Sequence, residues 1–198
     1  MQVKKQSALS DIVNAAREEF LVRGYRDASM RLIAAAAGMS AGNIYKYFRS
    51  KRDLFLYIAE PQEERLRSMY RRLEVAESKP FTVPSGTAEL SDAVYKWAAA
   101  LDALYSLDTY MLLGAGEGSG YEQAQEELAE RLTRGVLSLC GRSVDVKPPV
   151  RYPLDYFMLR LVCELRLTAV RYRTSGSLRS ILRNQFLASV LGFVVALS

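Results

Sequence analysis

Residues 29–48 restrict the folds open to this chain more than any other segment, because they predict two short helices joined by a tight turn. Ser29 and Ser40 can each cap the start of a helix through a side-chain hydrogen bond. Gly38, at the end of the first helix, can adopt a positive φ without a Cβ penalty. Two helices joined in this way form a helix-turn-helix unit, whose second helix can enter the DNA major groove by its N-terminal end.

The second of these helices begins with the small residues Ala41 and Gly42, which would let its backbone approach the base edges closely. Asn43 follows, and its side-chain amide can pair with an adenine edge. An asparagine at this third helical position can also simply complete the helix cap. The sequence therefore leaves both roles open for Asn43.

A longer ordered pattern surrounds this segment. It comprises Ile12, Ala15, Ala16, Phe20, Gly24, Tyr25, Ala28–Met30, Ile33, Ala34, Ala37–Ser40, Gly42–Phe48, Lys51 and Leu54. The pattern resembles the N-terminal DNA-binding domain of the tetracycline-repressor (TetR) family of bacterial transcriptional regulators. The resemblance implies a DNA-binding head over residues 1–55 and a helical ligand-binding and dimerisation body over residues 56–198. It also implies a homodimer that binds a palindromic operator in double-stranded DNA and is released from it by a small molecule.

The distribution of charge agrees with a DNA-binding head. The whole chain has a net charge of +5. Residues 1–60 contain ten Lys and Arg and six Asp and Glu, whereas the other 138 residues contain 17 and 16. Nearly all of the excess positive charge therefore lies in the segment that would meet DNA phosphates.

The candidate DNA-contacting residues combine positions implied by the resemblance with nearby groups that can bind phosphate. They are Ser29, Arg31, Ser40, Ala41, Gly42, Asn43, Tyr45, Lys46, Tyr47 and Lys51. Taken singly, each cation is more often a solvated surface charge, and it is their grouping that favours phosphate contacts. Lys51 is expected to bind a phosphate, so Lys51→Ala should weaken binding to every DNA sequence and flatten its salt dependence.

Hydrophobic periodicity predicts an all-α fold of about nine helices, because apolar residues recur at helical spacing and no stretch alternates as a strand would. The first helix is expected over about residues 7–23 and the last over about residues 178–197. Pro61 leaves two alternatives for the fourth, a kinked long helix or two consecutive helices. Residues 78–86 are expected to form a surface loop, and the glycine-rich residues 114–120 a plain loop rather than a phosphate cradle.

Two sets of mainly apolar residues in the body are candidate sites. The first could line a pocket for a small apolar or aromatic inducer, with ordinary core packing as the alternative. This set is Trp97, Leu101, Tyr105, Tyr110, Met111, Tyr121, Phe157 and Met158. The second lies on the last predicted helix and could form the dimer interface, with packing inside one chain as the alternative. This set is Leu178, Leu182, Phe186, Val190 and Phe193.

Composition gives no support to an enzyme or a metal protein. The chain has no histidine, and its two cysteines, Cys140 and Cys163, lack metal-ligand spacing. They are expected to be reduced core thiols, with a disulfide as the less favoured alternative, and no cofactor is expected.

The sequence also predicts a cytoplasmic regulator. Residues 1–7 are not followed by the apolar region of a signal peptide, and no apolar tract reaches the ~20 residues of a membrane span. The expected function is a homodimeric transcriptional repressor released from DNA by a ligand. The alternative is a helical interaction or adaptor protein whose head looks like a DNA-binding domain but does not read DNA.

Overall fold

A computed structural model describes residues 2–77, 86–140 and 148–197, and this part of the chain is all-helical, as predicted. Its nine α-helices are α1 (Gln2–Asp27), α2 (Met30–Ala36), α3 (Ala41–Ile44), α4 (Lys51–Glu77), α5 (Thr87–Ala100), α6 (Leu107–Leu113), α7 (Ala124–Leu139), α8 (Pro148–Arg171) and α9 (Leu178–Leu197). A short 3-10 helix, Asp102–Tyr105, lies between α5 and α6. Among these described helices, none combines the length and the apolar character required to cross a membrane.

Two of the long helices continue past a residue that commonly interrupts a helix, Gly24 in α1 and Pro61 in α4. The helix α1 extends to Asp27, past Gly24, which has the non-helical angles φ 74° and ψ 176°. This combination is accessible to glycine because it has no Cβ, so the helix kinks there and then resumes. The helix α4 is a single helix of 27 residues with Pro61 inside it, so the structure has the continuous alternative. Pro61 lies on an exposed position, where water can bond the carbonyl that loses its N–H partner.

Part of the predicted loop structure cannot be compared. The predicted surface loop over residues 78–86 lies outside the described residues, apart from Gly86, which precedes the first turn of α5. The glycine-rich residues 114–120 are described and contain no helix, in agreement with the prediction.

The chain divides into two compact units, Met1–Glu64 with Asp108–Glu122 and Arg65–Leu107 with Gln123–Ser198. The first unit thus contains α1 to α3, the first half of α4, most of α6 and the glycine-rich loop. Its fully buried side chains include Phe20, Phe55, Tyr110 and Met111. The predicted domain boundary after residue 55 stays a prediction.

Residues 108–122 are held within the first unit by polar and aromatic contacts. The Gln62 Nε2 group donates a 2.6 Å hydrogen bond to Thr109 Oγ1, and both side chains are buried. The Tyr121 hydroxyl donates to the Glu63 carboxylate over 2.5 Å. The Tyr121 ring also lies 5.9 Å from the ring of Phe55, between centroids. A buried polar pair with matched partners fixes the register of this segment against α4.

The second unit is built on α7, α8, α9 and α5. The helix α7 packs against α8, and α9 packs against α5 and α8. Trp97 of α5 lies 5.6 Å from Phe186 of α9, between ring centroids. The same indole covers Gly135 of α7, where an added Cβ would lie 2.6 Å from it. The close approach of α5 to α7 therefore requires glycine at this position.

Cys140 and Cys163 are both free, so the predicted reduced state is confirmed and the disulfide is not formed. Both are half-buried, which differs from the core position that their apolar neighbours suggested. The Gln125 Nε2 group donates a hydrogen bond to Cys163 Sγ over 2.8 Å, a polar contact that sequence alone did not indicate.

Candidate DNA-binding surface

The helix-turn-helix unit forms at the predicted residues. Gly38 has a φ of 69°, as predicted for the end of α2. Its N–H donates to Ala35 O over 3.1 Å, and the Met39 N–H donates to Ala34 O over 2.9 Å. These bonds satisfy carbonyls that the last turn of a helix leaves without partners. The chain then turns, and α3 begins at Ala41.

Two buried side chains anchor the reading unit, which we define as residues 29–48. Ile44 is fully buried and Phe48 is 7% exposed. The Phe48 ring also meets Tyr57 of α4 edge-on, at 5.4 Å between centroids. Because these contacts fix the inner side of α3, its first three residues, 41–43, are left exposed.

The predicted side-chain caps are wrong. Ser29 and Ser40 both precede helices in an extended conformation, but neither side chain makes a capping hydrogen bond. At the start of α2 the hydrogen bond comes instead from another helix, because the carboxylate of Glu19 in α1 accepts the Ser29 N–H over 3.1 Å. A carboxylate at a helix start is also favoured by the helix dipole. The cap is thus supplied from another helix, and the Ser40 side chain remains exposed.

The side chain of Asn43 makes a hydrogen bond with a residue three positions further along the chain. Its Oδ1 atom accepts a 2.9 Å hydrogen bond from Lys46 Nζ, and both residues are exposed. A carbonyl oxygen has a second lone pair, and the Nδ2 group keeps two donors. The pair of contacts that an adenine edge requires therefore remains open to this amide.

Accessibility differs among the ten candidate residues. Ser29, Tyr47 and Lys51 are half-buried. The exposed ones are Arg31, Ser40, Ala41, Gly42, Asn43, Tyr45 and Lys46. The nearby cations Arg49 and Arg52 are exposed as well. The small residues at the start of α3 are therefore accompanied in the first compact unit by exposed cations and by the exposed phenol of Tyr45, which can bind DNA phosphates.

Lys51 makes contacts that its predicted role did not anticipate. Its ammonium group donates to Arg26 O over 2.8 Å and to Ala28 O over 3.1 Å. It also lies 4.8 Å from the centroid of the Tyr25 ring. Two of its three donors are therefore bonded to the protein's own backbone.

The helix α1 is also held by residues far away in sequence. The Tyr25 N–H donates to Ala115 O over 2.7 Å. The Arg26 guanidinium pairs with the exposed Glu117 carboxylate at 2.7 Å, and Arg17 pairs with Asp108 at the same distance. Sequence reasoning missed these partners because they are distant in sequence, 91 residues apart in both ion pairs, and no local pattern marks them.

The glycine-rich loop binds a carboxylate of its own chain. Gly118 and Gly120 have positive φ, and their N–H groups donate to Glu122 Oε1 over 2.9 Å and 3.2 Å. Hydrogen bonds from the backbone N–H groups of Glu122 itself, Gly120, Gly118 and Ser119 hold the pKa of this carboxyl below its usual range. The loop is therefore a small anion-binding turn that Glu122 already occupies.

The candidate pocket residues fall in different units. Trp97, Leu101, Tyr105, Phe157 and Met158 belong to the second unit, whereas Tyr110, Met111 and Tyr121 belong to the first. All are buried except the half-buried Tyr121 and Phe157. The Tyr105 hydroxyl donates to Ala98 O over 3.0 Å, and burial raises its pKa. Their shared role in one pocket stays a prediction.

The candidate dimer residues do not form one exposed face. Leu182, Phe186 and Val190 are fully buried within the chain, which is the alternative that the sequence left open for them. Leu178 and Phe193 are half-buried, and Phe193 stacks on Phe157 of α8 at 4.3 Å between ring centroids. A side chain without exposed surface cannot contact a second copy, so these three positions are corrected to core.

The fold and this surface define an all-helical protein with an N-terminal helix-turn-helix. Residues 12–58 match the family described as "Bacterial regulatory proteins, tetR family". The helix-turn-helix-type transcriptional regulator UidR of Escherichia coli and of Shigella flexneri is 37% identical over 71 residues, which are 36% of this chain and 36% of those proteins. The chain therefore spans about a third of the length of these curated relatives.

A solved structure extends the likeness of fold to nearly the whole chain. It is a crystal structure of a TetR family transcriptional regulator from Chloroflexus aurantiacus, 17% identical, with a TM-score of 0.51. The match covers 93% of this chain and 90% of that one. Residues 12–58 therefore have the sequence of a tetR-family N-terminal region, and the fold of nearly the whole chain is similar to that of the solved structure.

Proposed function

We propose that the protein is a homodimeric, sequence-specific DNA-binding transcriptional repressor of the cytoplasm, released from its operator by a small molecule. The observation that carries the DNA-binding role is the unobstructed start of α3. Its exposed residues 41–43 stand on a buried anchor, Ile44 and Phe48, so the surface that would meet the base edges is held rigidly.

The alternative is an adaptor whose head does not bind DNA. The exposed small residues at the start of α3 and the surplus of positive charge in residues 1–60 favour DNA binding over it. An enzyme is not proposed, because nothing in the site has the arrangement of a nucleophile and a base. A duplex enriched from a random pool by the wild-type protein would identify the operator, and absence of any enriched duplex would favour the adaptor.

Gly42→Leu is expected to abolish specific DNA binding without unfolding the protein. A Cβ added at Gly42 meets nothing within 4 Å, so the larger side chain would project outward from α3. Leucine also has a better helix propensity than glycine. We expect at least about a 100-fold loss of affinity for the enriched duplex, because several base contacts would be lost together.

The matched control for this variant is Gly176→Leu in the second unit, where an added Cβ also meets nothing within 4 Å. It should leave affinity unchanged. Fluorescence anisotropy gives the affinity, and thermal melting followed by circular dichroism gives the stability. Equal affinity of Gly42→Leu and the wild type would remove α3 from the DNA interface.

Dimerisation is proposed through the outer face of α8. Tyr156 and Leu167 are 70% and 66% exposed, and eleven residues correspond to about three helical turns, so they share a face. The exposed Tyr152 lies one turn before Tyr156 on that face. A two-fold dimer also suits two half-sites about 34–36 Å apart.

The double variant Tyr156→Glu, Leu167→Glu is expected to be a monomer at micromolar concentration, because it would bury two uncompensated carboxylates in the interface, beside the Arg160–Glu164 ion pair of the same face. Sedimentation velocity measures the change in mass. The matched control is Tyr95→Glu, a 48% exposed tyrosine on α5 of the same unit, which should stay dimeric. A double variant that remains dimeric would move the interface elsewhere, and a monomeric wild type would reject the dimer.

Release by a ligand is proposed to involve the second unit, with a small apolar or aromatic compound as the ligand. This proposal is supported by two buried polar groups in the apolar core of that unit, which could form hydrogen bonds with a ligand. The Trp97 indole N–H and the Thr133 hydroxyl are buried without a hydrogen-bond partner in the described structure. Trp97 is the only tryptophan of the chain, so its fluorescence reports on this unit. A compound screen in which none lowers DNA affinity would remove ligand release from the proposal.

A further inference from the structure

Lys51 is the first residue of α4, and its side chain points back to the connection between α1 and α2. Its ammonium group donates hydrogen bonds to Arg26 O and Ala28 O, over 2.8 Å and 3.1 Å. The Tyr25 ring lies beside it, with its centroid at 4.8 Å. One cation thus contacts Tyr25 and Arg26 in the last turn of α1 and Ala28 in the connection that follows.

These acceptors are groups that the fold leaves in need of a partner. The last carbonyls of a helix have no intrahelical donor, and a cation near that end is favoured by the helix dipole. Arg26 lies in the last turn of α1, beyond the kink at Gly24, and Ala28 lies just before α2. The Lys51 ammonium therefore caps α1 and at the same time restrains the chain that enters α2.

The restrained chain leads directly into the reading unit. Ala28 is 6% exposed, and the next residue, Ser29, is fixed by the Glu19 carboxylate. The helix α2 packs against both α1 and α3. A shift of residues 26–28 would therefore rotate α2, and with it the exposed start of α3.

We propose that Lys51 is a positioning residue, which orients the reading unit from within the protein and does not neutralise a DNA phosphate. This inference rests on the proposed DNA-binding function. It replaces the expectation from sequence that Lys51 belongs to the phosphate contacts. The exposed Lys46, which donates a hydrogen bond to the side chain of Asn43, remains in that group.

The test compares Lys51→Met with Lys46→Met on two duplexes, one enriched by the wild-type protein and one of mixed sequence. Methionine keeps much of the length of lysine but removes its charge and donors. For Lys51→Met, we expect about a tenfold loss of affinity for the enriched duplex, a smaller loss for the mixed one, and an unchanged dependence of log affinity on log salt. For Lys46→Met, we expect that slope to fall by about 0.9, because one phosphate contact is lost.

All measurements are made well below the melting temperature of each variant. A fall of about 0.9 in the salt slope for Lys51→Met, with equal losses on both duplexes, would identify a phosphate contact and overturn the inference. A lower melting temperature with unchanged affinity, preference and slope would also overturn it, because the role would then be only structural. If the wild-type protein prefers no duplex, the proposed function itself fails, which is a separate result.

Discussion

Phe55→Ala is expected to destabilise the first unit by about 3–5 kcal/mol, the cost typical of removing a large buried aromatic side chain. Phe55 is fully buried. Its ring lies 5.1 Å from both Phe20 and Tyr25 and 5.9 Å from Tyr121, between centroids. It therefore contacts α1 both before and after the kink at Gly24, and also the distant segment 108–122.

A loss of this size is a large fraction of the ~5–15 kcal/mol that stabilises an ordinary domain. We therefore expect the variant to lose specific DNA affinity together with much of its helical signal at moderate urea concentration. Urea unfolding followed by circular dichroism gives the free energy of unfolding. The fluorescence of Trp97, which lies in the second unit, reports separately on that unit.

Tyr57→Ala is the matched control, because it removes another aromatic ring from the same helix two residues away. Tyr57 is 52% exposed and contacts the edge of Phe48. It should cost about 1 kcal/mol or less, since an exposed ring loses little buried area. Similar losses in the free energy of unfolding for the two variants would show that the aromatic cluster around Phe55 does not stabilise the first unit.

Gly135→Ala is expected to destabilise the second unit by about 1–3 kcal/mol, as overpacking of a core does. The new methyl group would lie 2.6 Å, 2.8 Å and 2.9 Å from the Cζ2, Nε1 and Cε2 atoms of Trp97. The sign is informative, because alanine in place of a helical glycine otherwise stabilises by up to about 1 kcal/mol. Gly192→Ala in α9, where an added Cβ meets nothing within 4 Å, should show that ordinary gain.

A second substitution tests the stated cause. Trp97→Phe removes the three indole atoms that the methyl group would meet. The double variant should therefore be more stable than the sum of the two single effects predicts, by about 1–2 kcal/mol. Urea unfolding followed by circular dichroism measures all four proteins. Additive effects would mean that the indole is not the group that excludes a side chain at position 135.

Local pattern predicted the helices well, because helical periodicity and turn residues act over a few positions. Gly38 has the positive φ that its place after α2 requires, and Ile44 and Phe48 are buried as their spacing indicates. At Ser29 the predicted cap is wrong, and a carboxylate from α1, ten residues earlier, bonds the helix start instead. Capping by a tertiary partner leaves no mark in the sequence around the helix start.

The sequence predicted which residues are buried better than it predicted which part of the protein packs against them. The apolar stripe of α9 is real, but Leu182, Phe186 and Val190 use it inside the chain. Hydrophobic periodicity predicts that the apolar face of α9 is covered. It does not predict whether helices of the same chain, here α5 and α8, or a second copy of the chain cover it. The same holds for the charged side chain of Lys51. The sequence shows that a cation is present, but it does not show whether the ammonium group bonds a DNA phosphate or a backbone carbonyl.

The chain passes between its two compact units three times, after Glu64, after Leu107 and after Glu122. The compact unit that contains the helix-turn-helix therefore includes residues well beyond the family match over residues 12–58. A fragment or chimaera joined near residue 64 would leave Gln62 without Thr109 and Tyr25 N–H without Ala115 O. Replacement of the helix-turn-helix by that of a related protein would therefore require transplanting residues 108–122 together with residues 1–64, because both segments form one compact unit.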